Sequence, residues 1–217
     1  MLKDDDKKCK IYIENITNIG GTTGITQIVG AYGIETIFNK CKFLYNVGTT
    51  DGQNTTLIRG GYVLFNECIN MFSRFDGFCY QDFTHTVNRV QFVELNCIGA
   101  NNGLGVSVDN SNGSTSHHST RGIRINSLYY NNGGGNVTDV QENNQTLNLG
   151  CESYESGAIA RKQGFSIQQD GSKMWLYNCV AKDNEQFDLV CSGVDSIMYL
   201  HECDYHTKSG NGVYKEI

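Results

Sequence analysis

At 217 residues, with 39% apolar and 18% charged side chains, the chain is too apolar and too lightly charged to remain disordered. Its net charge of −6 excludes the basic footprint of a nucleic-acid binder, and no apolar run approaches the ~20 residues needed to span a membrane. It contains 25 Gly, 23 Asn and no Pro. Gly and Asn tolerate left-handed backbone, and an absence of Pro leaves every N–H available to a ladder, so many tight corners between short strands are expected. Codon bias in an AT-rich genome would shift Asn and Pro in the same directions.

Residues 1–8 read as a polar leader or junction segment without the apolar core of an export signal. Residues 9–217 read as one domain. It opens on Lys10-Ile11-Tyr12-Ile13, whose alternation has the period of a strand. A recurrent phrase then follows: Phe38-Asn39-Lys40-Cys41, Phe65-Asn66-Glu67-Cys68, Leu95-Asn96-Cys97, Leu149-Gly150-Cys151, Leu176-Tyr177-Asn178-Cys179 and Leu200-His201-Glu202-Cys203. The cysteines are spaced 27, 29, 54, 28 and 24 apart, the long gap being two periods with Ile123–Leu128 near its middle. A period in this range marks a solenoid. Cysteine packs as a small buried hydrophobe, so these six are expected to form an inward column of free thiols. No Cys-x-x-Cys occurs to suggest zinc, and the odd count of nine leaves at least one thiol unpaired within the chain. The fold class expected is all-β, a single-stranded right-handed parallel β-helix of roughly eight coils.

Further text carries a resemblance: Asn112–His117, Gly122–Asn126, Gly133–Val140, Leu147–Gly150, Gly171–Cys179 and Asp183-Asn184 through Asp188-Leu189. Together these resemble the right-handed parallel β-helix superfamily of pectate lyases and phage tail spikes, over roughly residues 90–205. The resemblance implies a solenoid that faces polysaccharide, with β-elimination or glycoside hydrolysis as the chemistries within reach of the fold. It leaves activity open, because folds host many functions.

Within that expectation, Ser116–Arg124 is the stretch richest in reactive groups and reads as an extended loop. His117 would be the base, with Arg121 or Arg124 pairing with a uronate carboxylate. The same residues also read as a solvated polar loop. His118, Tyr129, Tyr130, Lys162, Lys173 and Tyr177 are candidates for contacting sugar. Asp183 and Asp188, on neighbouring strand–turn units, would hold Ca²⁺ if the family's acidic clusters apply, or would simply close turns.

The functional expectation is a glycan-binding, depolymerising or non-depolymerising spike domain. It would work as a homotrimer on a virion or cell surface after assembly in a reducing cytoplasm. The alternatives are a non-catalytic assembly solenoid and a stand-alone bacterial polysaccharide lyase.

Overall fold

The computed structural model describes residues 9–21, 25–27, 34–48, 54–81, 90–103, 111–157 and 163–217. Lys162 lies outside them. Among the described residues every regular element is a strand and every pairing is parallel. The chain visits three sheets in turn, so that sequential strands lie in different sheets and each strand pairs with the one three places on. The first sheet has nine strands and the other two have eight each. This is the parallel β-helix that the cysteine period predicts.

Each turn of the helix is built the same way. A first-sheet strand such as Gln91–Leu95 or Lys173–Tyr177 alternates buried side chains with exposed or half-buried ones. It ends at a residue in left-handed conformation: Lys40, Glu67, Asn96, Asn126, Gly150, Asn178 and Glu202 have φ of 47–58°. That corner costs a non-glycine residue roughly 1–2 kcal/mol. It is offset by a main-chain bond to the next coil, such as Glu67 N–H to Leu95 O at 2.8 Å or Asn96 N–H to Ile125 O at 2.9 Å. The ladder residue follows at once and turns inward. Cys41, Cys68, Cys97, Cys151 and Cys179 are at most 2% exposed, and Cys203 in the last coil is half-buried. Their thiols lie against carbonyls of the coil before: Cys68 to Phe38 O at 3.4 Å, Cys97 to Phe65 O at 3.3 Å and Cys203 to Leu176 O at 3.3 Å. Ser127 occupies the ladder place in the 54-residue gap, and its Oγ accepts from Cys97 N–H at 3.0 Å.

The other two corners carry ladders of their own. After the short second-sheet strands come Ser73, Asn102, Asn132, Ser156 and Asn184. Here Asn102 N–H donates to Asn132 Oδ1 at 3.1 Å, and Ser156 N–H to Asn184 Oδ1 at 3.2 Å. Before the first-sheet strands, Thr120 N–H donates to Asn144 Oδ1 at 3.1 Å, Asn144 N–H to Ser172 Oγ at 3.0 Å and Ser172 N–H to Ser196 Oγ at 3.2 Å. In each case a side chain from the following coil accepts a corner N–H that would otherwise be buried unpaired.

The interior is apolar at both ends and ionic between. One half stacks Phe38 on Phe65, with ring centroids 4.9 Å apart, and Tyr80 on Phe92 at 3.7 Å. The other packs Phe165, Ile167, Met174, Leu176, Met198 and Leu200. Between them the inward column of the first sheet reads Glu94 then Arg124, both fully buried. Gly122 is required beside this pair, because a Cβ there would lie 2.0 Å from the Phe92 ring.

All nine cysteines are free, with Cys9 exposed. Thiol reagent should label Cys9 quickly in the folded protein, Cys203 slowly, and all nine in denaturant. The ladder bond makes a second prediction. Ser127→Ala should destabilise the fold by about 1–3 kcal/mol, because it orphans the Cys97 N–H, and Ser127→Cys by less. Equal losses in denaturant titrations would remove that hydrogen bond from the account.

Candidate functional site

The outward residues of the first sheet fall into straight columns, because parallel strands keep register at ~4.8 Å spacing. One column reads Glu35, Tyr62, Gln91, Arg121, Gln145 and Lys173. The next reads Ile37, Leu64, Val93, Ile123, Leu147, Trp175 and Tyr199. The first column as far as Gln145 and the second as far as Trp175 line an open groove of about 910 Å³. Polar side chains follow one edge and an apolar strip forms the floor. At the far end Trp175 stacks on Tyr199 with centroids 5.0 Å apart and planes 5° from parallel, and Tyr177 joins the wall. Tyr62 is 47% exposed at the other end. Arg121 is exposed between Gln91 and Gln145 and forms no ion pair with the described residues.

The sequence-predicted residues are dispersed. Ser116–Arg124 is not an extended loop: Ser114–His117 is a third-sheet strand and Arg121–Ile125 a first-sheet strand, joined by a three-residue corner. His117 therefore ends one face and Arg121 begins another, so the expected base and carboxylate partner do not converge. His117 is 9% exposed, and its Nδ1 lies 3.2 Å from Gln141 Oε1. His118 has left-handed backbone and lies 3.3 Å from Glu142 Oε1.

Arg124 and Tyr129 point inward and are fully buried, which removes both from any solvent-borne sugar. Arg124 Nε donates to Ser114 Oγ at 2.8 Å and Nη2 to Ser116 Oγ at 3.0 Å, with Glu94 Oε1 3.6 Å from Nε. Its guanidinium also lies 4.8 Å from the centre of the Phe92 ring. Burial is the largest influence and works against this charge, but Glu94 together with Tyr129, Asp139 and Tyr80 more than offsets it. Tyr129 OH donates to Glu94 Oε2 at 2.6 Å.

Asp183 and Asp188 have different surroundings. Asp183 is exposed at a left-handed corner. Asp188 is buried, and its Oδ2 accepts from His206 N–H at 2.9 Å, Thr207 N–H at 3.0 Å and Thr207 Oγ1 at 3.2 Å. Its Oδ1 accepts from Asn184 Nδ2 at 3.0 Å. With the Asn184 N–H at 3.4 Å as well, this carboxylate is committed to five donors and acts as a structural clasp. Of the sugar-contact candidates, Tyr177 lines the groove and Lys173 lies in its polar column, whereas Tyr130 sits in the second sheet.

Reasoning from sequence missed the groove's amides, Gln91 and Gln145, and the interior acids, Glu94 and Asp139. Alternation within Gln91–Leu95 was available to assign Gln91 outward, but it also sets Glu94 inward, which polarity argues against. No protein-family model, curated protein or solved structure matches the chain.

The buried ions give two predictions. Arg124→Met should cost about 3–5 kcal/mol, because it leaves Glu94 buried and unpaired, and adding Glu94→Gln should recover part of that. Asp139 is fully buried, and burial pushes its carboxyl up to about 6 against the pull of Arg124 and a 2.7 Å bond from Thr146. Between its ordinary 3.8 and about 6, the folded protein holds a proton that the unfolded chain has released. Stability from this group is therefore present at low pH and lost as pH rises to about 6. Measured by denaturant unfolding, Asp139→Asn should gain on wild type by on the order of 2–3 kcal/mol between pH ~4 and pH ~7.5. A constant difference across that range would refute the assignment.

Proposed function

We propose that the protein binds an acidic polysaccharide along the groove of the first sheet. The single observation that carries this is the pairing of two unlike columns on one rigid surface. The Gln91–Arg121–Gln145 edge offers planar donors and acceptors at successive strand steps, which suits ring hydroxyls and a uronate-type carboxylate. The adjacent apolar strip ends in the Trp175–Tyr199 stack, which suits the C–H face of a sugar ring. The groove is also open along its length, as a polymer requires.

The reading stops at binding. Among the described residues that line the groove there is no imidazole, and Glu35 is the one carboxylate, so neither a histidine base nor the facing carboxylates of a glycosidase are present. The resemblance to tail spikes supplies the remainder of the proposal: a homotrimer displayed on a virion or cell surface. Nine free thiols support assembly in a reducing cytoplasm beforehand.

The test is a binding isotherm with uronate-containing oligosaccharides and their carboxyl-reduced counterparts. Arg121→Ala should weaken the acidic ligand roughly 10- to 100-fold, the equivalent of a charged hydrogen bond, and barely change the reduced one. Trp175→Ala should weaken both by roughly 3- to 10-fold. If wild type binds neither ligand, or binds them with both variants unchanged, the groove is not a glycan site.

A further inference from the structure

The third sheet carries a second cluster, on a different face from the groove. In the strand Phe78–Gln81, Phe78 and Tyr80 are fully buried against the interior aromatics, so Cys79 between them faces outward. In the paired strand Ser114–His117, Ser114 and Ser116 turn inward to Arg124, so Thr115 and His117 face outward too. Asp76 stands in the corner just before the first of these strands. Outward residues of a solenoid ordinarily meet solvent, yet Asp76 is 1%, Cys79 2% and His117 9% exposed. A ligand atom from each of the three lies within 4.8 Å of the other two.

We propose that Asp76, Cys79 and His117 form a binding site for a divalent transition metal of the zinc class, pinning two consecutive coils together. The donor set decides the class: thiolate with imidazole and carboxylate suits zinc, whereas calcium takes six to eight oxygens. Tetrahedral zinc with bonds of 2.0–2.3 Å holds its ligand atoms about 3.5 Å apart, so the three side chains close by roughly 1 Å on binding.

The surrounding groups are arranged as supports for ligands. Gln141 Oε1 accepts from His117 Nδ1–H at 3.2 Å, which places the ring's lone pair on Nε2. Asn112 holds Asp76 Oδ1 with its main-chain N–H at 2.8 Å and its side-chain amide at 3.0 Å, which orients the carboxylate. Thr115, the register partner of Cys79 and on the same face as His117, is fully buried with an Oγ1 that has no hydrogen-bond partner. Its hydroxyl is placed to donate to the sulfur or to a water in the fourth position, which three protein ligands leave open. On binding, a metal–sulfur bond forms and the thiol proton leaves to solvent, with no change of oxidation state.

The experiment is cobalt(II) titration of the full chain after treatment with chelator. Wild type and Cys9→Ser should bind one equivalent with a sulfur-to-cobalt charge-transfer band that zinc abolishes. The band should vanish in Cys79→Ser, and Asn112→Ala should bind roughly 10- to 100-fold more weakly. Should Cys79→Ser fail to fold, zinc K-edge X-ray absorption on loaded wild type decides instead, with one sulfur and a remaining shell of nitrogen and oxygen expected. Absence of metal binding, a band that survives Cys79→Ser, or a zinc shell with no sulfur or more than one overturns the site.

Discussion

The whole architecture depends on how buried main-chain groups are paired at the corners. A strand of three to six residues pairs fully with its neighbours, but the chain must then bend sharply inside a dry interior. There an unpaired N–H costs about 1–3 kcal/mol. The protein meets this with a left-handed residue and a small polar or thiol side chain at the same place on successive coils. The donor is always one coil away from its acceptor, as in Thr120 to Asn144 to Ser172 to Ser196. Corner chemistry and coil register therefore enforce one another. A slip of one residue would orphan donors at three corners and turn every inward side chain outward.

Against this regular frame the ionic layer is the main departure. Glu94 and Asp139 sit where neighbouring coils place Phe65 and Ile167 in the same inward columns, and Arg124 lies between Glu94 and the buried Asn148. Replacing buried ions by hydrophobic residues is often neutral or stabilising, so the layer is not needed to hold the coil together. Its geometry gives it a part in specificity: Glu94 receives Ser114 and Tyr129 while Arg124 reaches Ser114 and Ser116, which ties two consecutive coils to one alignment. The layer also withdraws Arg124 and Tyr129 from the surface and leaves chemistry to the outer faces.

Those outer faces differ in kind. The first sheet presents an open groove with regular columns, a geometry that matches an extended ligand. The third-sheet strands from Thr56–Ile58 to Val137–Asp139 are almost wholly buried on both sides, and their outward column from Leu57 through Cys79, Thr115 and Thr138 is almost dry. A dry pocket strengthens charge interactions and suits a compact ligand such as a metal ion. The corner at residues 118–120 separates the two, so a polymer in the groove and an ion at His117 would occupy different surfaces of the same coil.

The fold was legible in the sequence because a solenoid repeats its constraints. Six cysteine phrases at a near-constant period expose the coil, and the left-handed corner explains the Lys, Glu, Asn or Gly that stands before each Cys. The same logic explains what was hidden. Ser127 and the Asn and Ser ladders meet the same need with different residues, so identity does not repeat where hydrogen-bonding capacity does. Inside and outside were legible only where alternation and polarity agreed, as at Phe38 and Phe65. At Glu94, Arg124 and Tyr129 they conflict, and only tertiary structure shows that a partner from another coil makes a charge tolerable in the core. Proximity in sequence likewise placed His117 beside Arg121, whereas the corner between them sends the two to different sheets. Asp76 and Cys79, some 40 residues before His117, reach it because one coil stacks directly on the next.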